Sequence, residues 1–148
     1  MKMDRKTTNE LHQILKQIKS GEELENYIKN ELPPQDSMTF HAYYNSYLEQ
    51  CHLEKAKVIQ ISGISRTYAY QILQGEKNPS RNKILALTLA AGMDLKKINH
   101  SLKLAGMNEL YGKVRKDAII LFALDKKLNL AEINELLYEM NEEPLISL

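Results

Sequence analysis

The stretch "GISRTYAYQILQGEKNPSR", Gly63–Arg81, decides how this chain is read. It opens on a glycine, sets a serine two residues later, and closes at a second glycine, Gly75, before a basic loop. A serine at a helix start accepts hydrogen bonds from the first turn's free N–H groups. A glycine just past a helix end takes positive φ at little cost. Between them Ala69, Ile72 and Leu73 recur at i, i+3 and i+4, which places them on one helical face. A helix is therefore expected from the cap at Ser65 to about Gln74. Its inner face is apolar, and Arg66, Thr67, Tyr70, Gln71 and Gln74 lie on or near the outer one.

The surrounding chain reads as helical throughout. In 148 residues there are only four prolines and six glycines, and no alternating strand pattern stands out. An i, i+3, i+4 stripe of Phe40, Tyr43, Tyr44, Tyr47, Leu48 and Cys51 predicts a helix before the decisive stretch, with Cys51 expected as a buried thiol. A second helix, "EKAKVIQIS", turns Ala56, Ile59 and Val58 inward and ends at Gly63. After the stretch come a helix from about Ser80 to Ala91 and a helix capped by Asp94. A third, "KDAIILFALDKK", is apolar enough to be central, and a fourth begins at Asn129 and stops before Pro144. Upstream, Leu11, Ile14, Leu15 and Ile18, then Leu24, Tyr27, Ile28 and Leu32, predict a helical hairpin or a broken helix ended by Pro33-Pro34. Residues 32–37 read as a linker.

The last two helix pairs look alike. Shifting the chain by 35 residues aligns Ile84 with Ile119, Leu89 with Leu124 and Leu95 with Leu130. It also aligns Ile98 with Ile133, Asn99 with Asn134, Leu102 with Leu137 and Leu110 with Leu145, and matches the caps Asp94 and Asn129. A duplicated helix pair that extends the bundle is the simple expectation.

Charge is unevenly spread beneath a net +1. Residues 53–83 carry six Lys/Arg against two Glu, a local +4, whereas residues 125–148 carry two Lys against six acidic residues, a local −4. The helix preceded by Gly63 and Ser65 and the loop holding Asn78-Pro79-Ser80 resemble the helix-turn-helix of the phage-repressor-like (XRE-type) DNA-binding family. The resemblance implies an all-α fold: a five-helix domain over 37–106, an N-terminal helical appendage over 1–36, and a C-terminal helix pair over 107–148 packed on the domain. Two departures stand beside it. Leu73 occupies a place where the family often carries Glu or another polar residue, and Ile61-Ser62 reverse the usual polar–apolar order before Gly63.

The implied function is sequence-specific transcription regulation, with the helix seated in a DNA major groove. Arg66, Thr67, Tyr70 and Gln71 are the expected base-reading residues. Arg66 has the fork for guanine and Gln71 the amide for adenine. Lys55, Lys57, Ser65, Gln74, Lys77, Asn78 and Arg81 are expected on phosphates, with Lys83 nearby. Two-fold pairing is expected because one short helix reads too few bases, so the partners are double-stranded DNA and a second copy of the chain. A different class remains open: a helical adaptor with the same shape that binds protein through its C-terminal helices and touches no DNA.

Other chemistry finds little support. Cys51 and His52 are helix neighbours about 100° apart, a poor nucleophile–base pair. His12, His41 and His100 lack zinc spacing, and Glu139, Glu142 and Glu143 lack a calcium-loop pattern. No phosphate-cradling glycine loop or catalytic triad signature is present. No enzyme, cofactor or metal is expected. One cysteine allows no internal disulfide, and no apolar run reaches the ~20 residues of a membrane span, so a cytoplasmic protein is expected.

Overall fold

The computed structural model describes residues 7–31 and 38–146, which form nine α-helices and no strand. The chain divides between Ser37 and Met38 into two compact units. The residues expected to act as a linker, 32–37, lie outside the described ones. The first unit holds α1 (Thr8–Gln17) and α2 (Gly21–Glu31), separated by a break at residues 18–20. Thr7 caps α1 by accepting from the Glu10 N–H, and the Ser20 hydroxyl accepts from the Glu23 N–H. No residue of α1 is buried.

The second unit holds α3 (Phe40–Gln50), α4 (Lys55–Ser62), α5 (Arg66–Leu73), α6 (Arg81–Ala90), α7 (Leu95–Leu104), α8 (Arg115–Asp125) and α9 (Leu130–Glu139). At its centre is α6, whose residues Ile84, Leu85, Ala86, Leu87 and Thr88 are all buried. It packs against α4, α7 and α9, and the Tyr44 hydroxyl on α3 donates to the Leu87 carbonyl at 2.6 Å. Burial pushes the Tyr44 phenol far above its usual range, so it stays a neutral donor. One apolar cluster runs from Phe40 to Leu145, so the boundary expected between 106 and 107 does not divide the core. None of the helices is long and apolar enough to cross a membrane among the described residues.

Three expectations are corrected here. Apolar continuity suggested that α8 is central, but Phe122 is 55% exposed and α6 takes that place. Cys51 is exposed, because α3 ends at Gln50 and the chain turns away from the Phe40–Tyr44–Leu48 stripe. On α4, Val58, Ile59 and Ser62 face inward while Ala56 is exposed.

The 35-residue correspondence is physical. Helix α7 maps onto α9 end to end, and both begin at a side-chain cap, Asp94 or Asn129. The Asn99 carbonyl oxygen accepts from the Leu110 N–H at 3.0 Å, and the Asn134 oxygen accepts from the Leu145 N–H at 2.8 Å. Both bonds span eleven residues. The turns match as well: Gly92 and Lys127 have φ of 74° and 59°, and Gly106 and Asn141 have 74° and 60°. The shared tether closes each helix pair with its own asparagine.

The two copies are joined by an ion pair. Arg81 at the start of α6 meets Asp117 on α8 in a two-pronged contact, Nη1–Oδ1 at 2.7 Å and Nη2–Oδ2 at 2.8 Å. Asp117 is 2% exposed and also accepts from the Tyr111 N–H at 3.0 Å. Burial alone would raise the Asp117 carboxyl. The Arg81 guanidinium and the Tyr111 N–H outweigh it and hold the carboxyl below its usual range. A depressed carboxylate contributes stability above the unfolded-state value of about 3.9, and that stability is lost as pH falls through the lower folded value. Asp117→Asn should therefore lower stability by about 2–4 kcal/mol at pH 7, below the ~3–5 of a fully buried pair because Arg81 is partly exposed. Thermal melts from pH 7 to pH 2 should show the gap between variant and wild type closing at acid pH; a gap constant with pH would refute the assignment.

Candidate nucleic-acid interface

Helix α5 is held at both ends by short-range devices. At its start, Gly63 takes φ 79° and ends α4, and the Ser65 hydroxyl accepts from the Tyr68 N–H. The turn explains the order Ile61-Ser62. Ser62 is buried and satisfied, donating to the Ile59 carbonyl at 2.6 Å and accepting from the Ile64 N–H at 3.2 Å. Ile61 is left exposed. A β-carbon on Gly63 would lie 3.3 Å from Ile146 Cγ2, so the C-terminal segment packs directly on the turn.

At the other end, Gly75 takes φ 82° and receives the His41 ring, which would come within 2.7 Å of a β-carbon there. Asn45 donates from Nδ2 to the Leu73 carbonyl at 2.9 Å, tying the helix end to α3. Ala69, Ile72 and Leu73 are buried. Arg66, Thr67 and Gln74 are exposed, and Tyr70 and Gln71 are half-buried at the edge of the same outer face.

Around α5 the cations fall into distinct settings. Lys57 and Arg66 line one cleft between α4 and the start of α5, with Glu54 on its rim. Lys55 is half-exposed, and Lys77 and Asn78 are exposed on the loop. Among the described residues, no carboxylate forms an ion pair with Lys55, Lys57, Arg66 or Lys77. Arg81 behaves differently and is a correction. Its guanidinium is taken up by Asp117 and by the carbonyls of Asn108 and Glu109 at 3.2 Å, so it is not available as a phosphate clamp.

Three features were not read from the sequence. The Arg66 guanidinium carbon stands 5.7 Å from the Tyr70 ring centre, and Lys83 Nζ stands 5.1 Å from that of Tyr68. Such pairs are worth about 0.5–1 kcal/mol at exposed sites and restrict where the cation points. The i, i+4 spacing of Arg66 and Tyr70 carried that signal; the Lys83–Tyr68 contact had no local one. The starts of α5 and α6 also line a single polar cleft, with Ser65, Tyr68, Ser80, Asn82 and Lys83 around it. Two positive helix ends and a lysine favour an anion there. Glu143 borders the same cleft and opposes it.

Such a surface can do two things chemically. It offers planar and amide hydrogen-bonding groups on a protruding helix, and it offers cations and free N–H groups to negative charge. Compared with protein families, curated proteins and solved structures, the chain matches none.

The position of α5 depends on the space above Gly75. Gly75→Ala should cost about 1–3 kcal/mol, from positive φ and from collision with the His41 ring. Adding His41→Ala should recover the collision part only, a non-additivity that chemical denaturation of the four combinations measures. Full additivity would mean that the ring does not set the fit.

Proposed function

We propose that this protein is a sequence-specific DNA-binding transcription regulator of the phage-repressor-like helix-turn-helix kind, with α4 and α5 as the motif. One observation carries the reading: α5 buries Ala69, Ile72 and Leu73 while keeping Arg66 and Thr67 in solvent, with Tyr70 and Gln71 beside them. A major groove is wide enough for one α-helix, and side chains at the helix start meet base edges there.

In this reading Arg66 addresses a guanine, Gln71 an adenine, and Thr67 or Tyr70 a thymine methyl or a phosphate. Tyr70 narrows the directions open to Arg66, so less side-chain freedom is lost on binding. Lys55, Lys57, Ser65, Gln74, Lys77 and Asn78 fix register on the phosphates. Arg81 is withdrawn from that set and acts inside the fold. A cytoplasmic location and a two-fold pairing that doubles the site belong to the same proposal.

The second reading is a protein-binding adaptor, and Tyr138, 71% exposed on the acidic α9, favours it. Selection of bound fragments from random duplex DNA, followed by mobility shift, separates the two. Arg66→Ala should lose preference at one position per half-site, by about 1–3 kcal/mol or roughly 5- to 150-fold. Lys77→Ala should weaken all sequences alike and reduce the salt slope by about 1. No shift of any duplex at low salt would overturn the regulator and leave the adaptor.

A further inference from the structure

The duplicated helix pair exposes an asymmetry. Leu87 on α6 corresponds to Phe122 on α8, 35 residues later, yet Leu87 is 0% exposed and Phe122 is 55% exposed. Ala86 is buried and its counterpart Leu121 only half-buried. In the first copy α3 reaches Leu87, where the Tyr44 hydroxyl donates to its carbonyl. In the second copy, within the same unit, the corresponding face is left partly open although its side chains are larger. Lys126 Nζ rests 5.7 Å from the Phe122 ring centre, a partial shield only.

The uncovered face has a definite pattern. Arg115, Ala118, Phe122 and Asp125 recur at i, i+3, i+7 and i+10, so at 3.6 residues per turn they share one stripe along α8. Read along the helix, the stripe is positive, small, large, negative. Reversed and laid against itself, it is complementary at every place. Ala118 of one copy lies across from Phe122 of the other, and Arg115 lies across from Asp125. Antiparallel helices also oppose their dipoles favourably.

We propose that this face of α8 is an isologous interface between two copies of the chain, with the two α8 helices antiparallel and each Phe122 seated over the opposite Ala118. A two-fold axis passes near the level of Ile120, so each contact occurs twice. The patch continues beyond α8: Arg115 donates from Nη2 to the Met140 carbonyl at 2.7 Å and pairs through Nε with Glu142 at 3.2 Å. Those bonds set Arg115 in place and leave its other Nη for the opposite Asp125. Asp125 is exposed, and among the described residues its one ion pair is with the neighbouring Lys126 at 3.8 Å. The proposal goes beyond DNA binding and shares with it only the expectation of a second copy.

The test uses the full chain without DNA, so its failure and the failure of the DNA-binding reading are separate events. Sedimentation velocity over roughly 1–100 µM covers the dissociation constants of small interfaces. Wild type should pass from monomer to dimer with concentration. Phe122→Glu should remain monomeric while keeping its helical circular dichroism, because the side chain it replaces is exposed. Asp125→Lys, which changes only an exposed charge, should raise the dissociation constant about threefold to tenfold through two mirrored repulsions. A monomeric wild type, or a Phe122→Glu chain that dimerises like wild type, overturns the interface. An unchanged constant for Asp125→Lys overturns the antiparallel arrangement.

Discussion

The contact between Arg81 and Asp117 governs how the second unit is assembled. A carboxylate 2% exposed to solvent is tolerable only when its oxygens are fully engaged, and here a guanidinium and a backbone N–H engage them. The same arginine reaches the carbonyls of Asn108 and Glu109. One ion pair therefore fixes the start of α6, the segment after α7 and the start of α8 together. Because α6 begins directly after the loop that follows α5, the pair also anchors the far side of that loop. The pair is directional where the apolar cluster is not, because its two-pronged geometry is met in only one relative placement of these segments.

The outward surface of α5 follows from the same economy of parts. Eight residues supply three inward side chains, and the cap, the two glycines and the Asn45 bond set the ends. What remains must face solvent. The helix is thus exposed on one side because α3 and α4 pack on the other, and its polar residues protrude from a backbone held at both ends. That rigidity is what a surface that reads hydrogen-bond patterns requires, since a loose helix would lose freedom on every encounter.

Features with local causes were legible in the amino-acid order. Ser65, Asp94 and Asn129 are caps as their positions implied, and Gly63 and Gly75 stand at positive φ where the helices end. The all-helical class and the inward set Ala69, Ile72 and Leu73 come from periodicity, which a sequence carries in plain form. Features decided by distant neighbours were not. Arg81 looked like one more loop cation because its partner lies 36 residues away. Helices α6 and α8 are both apolar, and periodicity does not say which of them collects neighbours on all sides. Cys51 sits on the stripe of α3 by spacing but falls one residue past its end, where the backbone turns at His52.

The asparagine tethers carry a consequence for how this chain can change over time. Asn99 and Asn134 each reach a backbone N–H eleven residues onward, so the span between must keep its length for the oxygen to meet its donor. An insertion or deletion inside either span would separate donor from acceptor, in the second span at a buried asparagine. Between Gly112 and Val114 the side chains are exposed, yet a third ruler crosses them, the six-residue tie from the Tyr111 N–H to Asp117. Each hairpin should accordingly travel among descendants of this sequence as a cassette of fixed length, with the joint between the two held to measure as well.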